Sequence, residues 1–306
     1  MKVLVVGTGG ALARRVALLL HEAKHTVIGM DWRPWPDAPP GMRVHQVDIR
    51  KRAAEDVFRV TRPDCVVHMA TVNALSAGGE ARARINLGGT QSVFAHARGH
   101  GVKHVVVVGR HTFYGASADA ALYRTEADPP SGIGNFPELA DLVAADLHAA
   151  TMLWREPDVC TTLLRMVYTL GPSLSGTLAG FLKGRRVPMV FGFDPLFQFI
   201  DEADAARAIV LAVEKKPRGI FNVAGPPPMP LSTIAEALGR TVLPVPEPIL
   251  KRMLGRFGLP RLPKGAVEHI KYPIVVDGTA FTRATGFTPE FGDVETLHRF
   301  RDAAPI

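Results

Sequence analysis

The feature that most constrains the fold is a glycine-rich turn close to the amino terminus. The turn, residues 7–10, directly follows a short apolar run at 2–6 and directly precedes a helix-length segment at 10–23. Glycines let such a turn be tight and let a ligand approach the backbone, while the following helix offers unpaired N–H groups to an anion. An ordinary strand-to-helix turn is the simpler alternative. The context favours a pyrophosphate-binding turn.

An acidic residue supports this interpretation. Asp31 ends the second apolar run, about 20 residues beyond the turn, where a dinucleotide site places the carboxylate that binds a ribose. A carboxylate there accepts hydrogen bonds from both ribose hydroxyls and repels a 2′-phosphate. The pattern therefore favours NAD over NADP as the cofactor, although Arg33 offsets part of the repulsion.

Short apolar runs alternate with longer helical patterns through the first two-thirds of the chain, which is typical of a parallel α/β sheet covered by helices on both faces. We predict strands at 2–6, 26–30, 43–47, 64–69, 102–108 and 159–165, and helices at 10–23, 51–60, 80–98 and 136–155. Prolines become frequent after residue 166. We therefore predict a doubly wound domain at 1–165 and a smaller domain at 166–306. A strand, helix and strand at 197–200, 203–213 and 219–223 would return the segment 196–225 to the first domain.

Composition excludes several classes of protein. The chain has 306 residues, of which 47% are hydrophobic and 21% charged, so it is neither disordered nor collagen-like. Its two cysteines, Cys65 and Cys160, suit reduced thiols. The apolar start is too short for a signal peptide, and no run reaches the ~18–20 apolar residues of a membrane span. We expect a cytoplasmic protein. His68 has no partner at ligand spacing, so no metal site is predicted.

The net charge of +7 is concentrated in one segment. Residues 251–272 contain six Lys or Arg residues and one acidic residue, without the aromatic interleaving of a nucleic-acid-binding element, so no nucleic-acid partner is predicted. Apolar residues fall on one side of this segment at helical spacing: Ile249, Leu250, Met253, Leu254 and Phe257. The stripe fits a surface helix over a small core, and a peripheral membrane contact or an entry lip for an acidic substrate is the alternative.

These motifs and several later ones resemble the extended short-chain dehydrogenases/reductases of the NAD-dependent epimerase/dehydratase group. The later motifs are Val47-Asp48-Ile49-Arg50, Val67-His68-Met69-Ala70, Asn86-Leu87-Gly88-Gly89-Thr90 and Phe221-Asn222-Val223-Ala224-Gly225. The resemblance covers nearly the whole chain and implies a Rossmann-type domain and a smaller substrate domain. It also implies NAD, a small-molecule substrate such as a nucleotide sugar, and a homodimer as one form of assembly. The implied cofactor contacts are Gly7, Gly9, Gly10, Ala11, Leu12, Asp31, Trp32, Arg33, Asp48, Ile49, Met69, Ala70, Asn86 and Val108, and the implied substrate contacts are Arg165 and Tyr168.

The catalytic residues of that family are missing from this chain. The family uses Ser or Thr together with Tyr-x-x-x-Lys, and no Tyr-x-x-x-Lys occurs in this sequence. Alignment of the motifs places Arg110, Glu138 and Leu142 at the positions of the family's Ser/Thr, Tyr and Lys. A leucine can neither lower the pKa of a neighbour nor bind a ribose, and an arginine is a poor proton donor but a good anion clamp.

Three functions of different class remain open. The first is an NAD-dependent oxidoreductase of the epimerase/dehydratase type with a rebuilt catalytic set, whose candidate residues are Arg110, His111, Tyr114 and Glu138, with Tyr168 as a further replacement. The second is a catalytically degenerate protein that binds NAD in a regulatory or accessory role. The third is a module that binds a membrane surface or a partner through residues 249–271.

Overall fold

The computed structural model describes residues 1–72, 79–131, 133–134, 136–256, 262–263 and 265–304. In these ranges the strands are β1 (Lys2–Val6), β2 (Thr26–Asp31), β3 (Arg43–Gln46), β4 (Cys65–His68), β5 (His104–Arg110), β6 (Tyr123–Arg124), β7 (Cys160–Met166), β8 (Tyr168–Leu170), β9 (Arg186–Val190), β10 (Leu196–Phe197), β11 (Phe199–Asp201), β12 (Gly219–Val223), β13 (Met229–Pro230), β14 (Thr241–Val245) and β15 (Val275–Val276). The helices are α1 (Ala11–Glu22), α2 (Arg52–Thr61), α3 (Gly79–Gly99), α4 (Ala140–Arg155), α5 (Thr177–Leu182), α6 (Glu202–Lys215), α7 (Leu231–Ala237), α8 (Glu247–Met253), α9 (Ala266–Lys271), α10 (Thr279–Thr285) and α11 (Asp293–Ala303). Short 3₁₀ turns lie at His111–Tyr114 and Pro137–Leu139.

A parallel sheet of seven strands forms the centre of the molecule, in the order β12-β7-β5-β4-β1-β2-β3. Helices cover both of its faces. In β1, Val3 and Val5 pack in one core cluster with residues of α1 and α6, while Leu4 and Val6 pack in another with residues of α2, α3 and α4. Strands buried on both faces need continuous apolar runs, which is why their sequences show no alternation. The predicted α/β fold with a doubly wound parallel sheet is confirmed.

The carboxyl-terminal part has its own apolar core, built from residues of α5, β9, α7, α9 and α11 among others. Within the segment 196–225, only β12 pairs in the seven-stranded sheet, where Ile220 lies beside Leu163 of β7. The predicted strand at 197–200 is instead divided between β10 and β11, which pair with β13 and β8 outside that sheet. The division of the chain at residue 165 stays a prediction.

Two further elements differ from the predictions. The helix predicted at 136–155 begins as the 3₁₀ turn Pro137–Leu139, and regular α-helix starts at Ala140. In the basic segment, α8 buries Leu250 and exposes Ile249, and Glu247 forms ion pairs with both Lys251 and Lys271. Part of that segment's positive charge is therefore neutralised locally. Phe257, Arg261 and Lys264 lie outside the described residues. No helix within the described ranges is long and apolar enough to cross a lipid bilayer.

Candidate cofactor and substrate cleft

A large cleft opens at the carboxyl ends of the central strands, next to the switch point between β1 and β4. Its volume is about 790 Å³. The structure brings together most of the predicted site residues along its wall: Gly7, Gly10, Ala11, Leu12, Asp31, Trp32, Arg33, Asp48, Ile49, Met69, Ala70, Val108, Arg110, His111 and Tyr168. In a doubly wound sheet this is the place where ligands bind. Parallel strands explain how residues so far apart in the chain meet there.

The glycine turn is shaped by close packing against the loop after β4. Gly7 has φ +106°, and a Cβ on it would lie 2.7 Å from the backbone nitrogen of Ala70. Only glycine fits both the angle and the space. Gly10 is different, because an added Cβ would meet only the carbonyl oxygen of Gly7, at 3.6 Å. Gly10 caps α1 in an extended conformation with no side-chain cap, so the amino end of the helix faces the cleft without an acidic residue in its first turn. This cradle fits a pyrophosphate.

Asp31 joins the glycine turn to the end of β2. Its Oδ2 accepts a hydrogen bond from the Gly9 backbone N–H at 2.8 Å, and its Oδ1 accepts one from the Arg33 N–H at 2.8 Å. Oδ1 also lies 3.5 Å from Nε of Arg33, whereas Oδ2 keeps a further acceptor site, which fits a ribose hydroxyl. The Arg33 guanidinium packs over Gly9, so Gly9 supports the carboxylate from beneath this side chain and does not line the cleft.

The far end of the cleft carries a second acidic residue. Asp48 forms a short ion pair with Arg50, and that hydrogen bond holds the pKa of Asp48 below its usual range. Both residues line the cleft beside Ile49, and the Trp32 ring is 66% exposed nearby. A flat, partly apolar surface with one carboxylate fits an adenine ring and its amino group.

At the other end, Arg110, His111 and Tyr168 stand together. The His111 ring meets the Tyr168 ring edge to face, with centroids 4.4 Å apart. Nδ1 of His111 donates to the carbonyl of Met166 at 3.2 Å, which leaves Nε2 as a buried acceptor with no hydrogen-bond partner among the described residues. Burial lowers the pKa of His111 to about 3 and raises the pKa of Tyr168 to about 12, so both are neutral at physiological pH. Such groups can orient or protonate a substrate oxygen.

A small apolar pocket of about 60 Å³ adjoins this end of the cleft. Four residues line both spaces: Arg110, Thr112, Tyr168 and Thr177. The other walls of the pocket are mostly aromatic and aliphatic, with Phe136, Leu139, Leu142, Leu178, Phe181, Phe197, Leu262, Ala266, His269 and Ile270. Leu142, which the sequence predicts at the position of the family's lysine, contributes to an apolar wall.

Two predicted residues lie in the core and not in the cleft. Arg165 is buried against Asp146 of α4, with its Nη1 donating to the Tyr114 hydroxyl at 3.1 Å. Tyr114 in turn donates to Oδ1 of Asn222 at 2.7 Å. Neither side chain lines the cleft or the apolar pocket. The polar atoms of both side chains are used within the core, which argues for structural roles, and the predicted roles of Arg165 in substrate binding and of Tyr114 in catalysis stay predictions.

Asn86 and Glu138 also lie outside both cavities. Asn86 exchanges hydrogen bonds with the backbone of Val72 and donates to Asp141, so it shapes the cleft wall from behind. The backbone carbonyl of Glu138 accepts from Arg82, and Oε2 of Glu138 is buried without a partner among the described residues. The 3₁₀ turn at Pro137–Leu139 directs this residue away from the cleft. The structure does not support Glu138 as the acid–base group.

Several wall residues were not predicted. Thr71 and Val72 follow β4, Met166 and Thr169 lie in or after β7, and Thr177 begins α5. The rule that ligands bind beyond the carboxyl ends of parallel strands could have identified the first four. Thr177 carries no local signal. Among the described residues no group of three metal-ligating side chains occurs.

Comparison with known proteins identifies the family of this chain. Residues 3–224 match the model of the NAD dependent epimerase/dehydratase family. An uncharacterized protein of Mycobacterium tuberculosis is 28% identical over 273 residues, covering 85% of this chain and 72% of its own length. A 3-diazoavenalumate denitrifying reductase of Streptomyces sp is 26% identical over 283 residues, which cover 84% of this chain and 88% of the reductase.

Solved structures share the fold over nearly the whole chain. The Thermus thermophilus UDP-glucose 4-epimerase complex with NAD has a TM-score of 0.77 and 22% identity, covering 99% of this chain and 98% of its own. The Thermotoga maritima UDP-glucose 4-epimerase with UDP-glucose has a TM-score of 0.78 and 19% identity, with the same coverage. At these identities the likeness is one of fold.

Proposed function

Because the chain belongs to the NAD-dependent epimerase/dehydratase family, we propose that it is an oxidoreductase that moves a hydride between NAD and a small-molecule substrate held beside Arg110, His111 and Tyr168. One observation carries the proposal. A single cleft runs from the glycine turn at Gly7 to these three side chains, so that a bound dinucleotide and a substrate can meet inside it.

The family's cofactor is NAD, and the residues of the cleft fit it. The amino end of α1, from Gly10 to Leu12, would hold the pyrophosphate. Asp31 would accept the ribose hydroxyls, and Asp48 with Ile49 would hold the adenine. When bound, NAD supplies the hydride acceptor in its oxidised form and the hydride donor in its reduced form.

The chain's own residues then provide orientation and a proton. In the proposal, the buried His111 ring packs edge to face against Tyr168 and fixes its orientation, and its low pKa means that it is not a general base at neutral pH. The Tyr168 hydroxyl, protonated at neutral pH, donates to a substrate oxygen as the hydride arrives at carbon. The positive charge of Arg110 acts on Tyr168 to oppose the rise of its pKa. Together they replace the Tyr-x-x-x-Lys pair.

The substrate would be a hydroxyl or keto compound. The similar Thermotoga maritima epimerase binds UDP-glucose, which keeps a nucleotide sugar as one candidate. The name of the Streptomyces relative describes a reductase of a diazo compound, which supports net reduction as the reaction of at least one similar chain. A small-molecule substrate is common to both.

A catalytically degenerate NAD-binding protein is the second candidate. The observation in its favour is that Leu142, which the sequence predicts at the position of the family's lysine, lines an apolar pocket. Without that ammonium group, the ordinary lowering of a tyrosine pKa is lost. Such a protein would bind NAD and show no hydride transfer.

Transfer of deuterium from NADH labelled at C4 tests the proposal. The purified protein is incubated with labelled NADH and a panel of ketones, aldehydes and UDP-4-keto sugars, and the products are analysed by mass spectrometry. We expect deuterium in at least one product. Tyr168→Phe should reduce that transfer by about 100-fold or more, the usual value of acid–base assistance, while NADH affinity is unchanged. Glu138→Gln, which alters a residue outside the cleft, is the control. NADH binding with no transfer across the panel would favour the degenerate protein.

A further inference from the structure

Arg110 is a charged side chain in an unusual setting. It forms part of the wall between the NAD cleft and the apolar pocket. Its only side-chain hydrogen bond among the described residues is a long one, 3.5 Å from Nη1 to Thr177 Oγ1, and no carboxylate of those residues lies within ion-pair distance. Burial lowers the pKa of Arg110 to about 10, so it is still charged at neutral pH.

Among the described residues, the two most buried arginines each pair with a carboxylate, whereas Arg240, also buried, donates to the backbone carbonyl of Ala304. Arg82 lies 2.6 Å from Asp141, and Arg165 lies 2.8 Å from Asp146. Withdrawing a guanidinium from water is costly unless an anion and several hydrogen bonds replace the solvent. Arg110 lacks that internal anion within the described residues. Apart from the long contact with Thr177, its N–H donors are therefore available to a ligand.

The pocket beside Arg110 determines what else the ligand carries. Phe136, Phe181 and Phe197 supply aromatic walls, and Leu139 and Ile270 complete an apolar surface. A ring bearing several hydroxyl groups would bury them here without hydrogen-bond partners, at a cost for each one. Polar side chains lie where the pocket meets the cleft, at Thr112, Tyr168 and Thr177, and Nε2 of His269 is buried without a partner among the described residues. The pocket thus favours a body that is mostly apolar, with its polar groups at the end nearest the cleft.

We propose that the substrate is an organic carboxylate with an apolar, preferably aromatic body, whose carboxylate pairs with Arg110 and whose body extends from the cleft into the pocket walled by Phe136, Phe181 and Phe197. A single guanidinium fork matches the two oxygens of one carboxylate. Arg110 is also the only Lys or Arg among the described residues that line the pocket, whereas a nucleotide diphosphate carries more negative charge than one guanidinium offsets. This inference rests on the proposed function for the reaction, but the carboxylate site itself can be tested separately.

Ligand-observed NMR by saturation transfer provides the test, with and without saturating NAD. The probes are benzoate, phenylacetate and 3-phenylpropionate, each compared with its neutral amide, and UDP-glucose. The acids should bind about 10- to 100-fold more tightly than the amides, the usual value of hydrogen bonds to a charged group. Arg110→Met should abolish that preference without changing NAD affinity. Arg155→Met, which removes an exposed arginine of α4, is the matched control and should preserve it.

Arg110→Lys keeps the charge but loses the two N–H groups that face both carboxylate oxygens, so it should give an intermediate preference for acids over amides. This variant also provides the test if Arg110→Met does not fold. The proposal is overturned if acids and amides bind equally, if no acid of the panel binds, or if UDP-glucose binds in their place. It is also overturned if Arg110→Met removes NAD binding, because Arg110 would then belong to the cofactor site. Acid binding through Arg110 in a protein that binds no NAD would instead overturn the proposed function and leave the carboxylate site standing.

Discussion

Arg165 and Asp146 form a buried ion pair with two hydrogen bonds, Nε to Oδ2 at 3.1 Å and Nη2 to Oδ1 at 2.8 Å. The guanidinium carbon also lies 3.5 Å from the centre of the Phe113 ring. The pair ties β7 of the sheet to α4, the helix whose residue Leu142 lines the apolar pocket. An arginine fixed on all sides in this way cannot turn to bind a substrate.

Replacing Arg165 should therefore reduce stability and leave cofactor binding intact. Arg165→Met leaves the Asp146 carboxylate buried without its partner, and we expect a loss of about 3–5 kcal/mol in the free energy of unfolding. Urea denaturation measures this loss. The affinity for NAD, measured on the folded fraction, should be unchanged.

The double variant Arg165→Met with Asp146→Leu is the control for this prediction. It removes both charges, so it should recover much of the stability lost in the single variant. A single variant that is fully stable but loses substrate binding would return Arg165 to the role predicted from the sequence.

Three buried histidines and the partly buried His269 make the fold sensitive to acid. Burial lowers the pKa of His68, His104 and His269 to about 4 and that of His111 to about 3. In the unfolded chain these groups titrate near about 6.5, so between pH values of about 4 and 6.5 the unfolded state binds more protons. Stability therefore falls as the pH drops below about 6.5, by up to about 1.4 kcal/mol per pH unit for each histidine.

Urea denaturation at about pH 7 and about pH 5 checks this sign and size. His68→Gln removes one of the four groups and should reduce the loss of stability between the two conditions by about 1–2 kcal/mol. His298→Gln changes an exposed histidine and should leave the loss as it is in the unmodified chain. Equal stability at both pH values would show that these rings are not buried neutral groups.

The sequence predicted the sheet and most of the cofactor cleft because both depend on local patterns. Apolar runs marked the strands, and the glycine turn and Asp31 lie at fixed positions relative to them. The family that these motifs resemble is confirmed by the match over residues 3–224. The carboxyl ends of parallel strands lie at one edge of the sheet, so the sequence could predict that residues at these ends come together there.

The arrangement of side chains at the end of the cleft that carries Arg110, His111 and Tyr168 could not be predicted in the same way. Tyr114 and Arg110 are close in sequence, yet the 3₁₀ turn at His111–Tyr114 leaves Arg110 in the wall of the cleft and turns Tyr114 into the core. Whether an arginine such as Arg165 is paired depends on Asp146, a residue from another element. Such contacts arise from tertiary packing, which neither periodicity nor motif spacing records. The replacement of the catalytic triad stays a prediction.

Asp31 should set the preference between the two dinucleotides. We expect NAD to raise the melting temperature more than NADP at equal concentration, because the buried carboxylate repels a 2′-phosphate. Asp31→Asn removes that charge and leaves the half-exposed Arg33 nearby, so the ratio of the two affinities should narrow by about tenfold or more.

Asp37→Asn is the matched control, since Asp37 is exposed and does not line the cleft. It should leave the ratio of NAD and NADP affinities unchanged. Stronger stabilisation of the unmodified protein by NADP would contradict the role assigned to Asp31.

The central claim is that the glycine turn holds the pyrophosphate of NAD, and calorimetric titration of Gly10→Val with NAD tests it most directly. The space around Gly10 accepts a side chain in the free protein, so the variant should fold with nearly unchanged stability while its isopropyl group occupies the pyrophosphate position. Gly292→Val, at the extended amino-terminal cap of α11 with no neighbour within 4 Å, is the matched control. We predict that Gly10→Val weakens NAD binding by at least about 100-fold, or about 2.7 kcal/mol, and that Gly292→Val leaves it unchanged. A folded Gly10→Val protein that binds NAD as tightly as the unmodified chain would contradict the account.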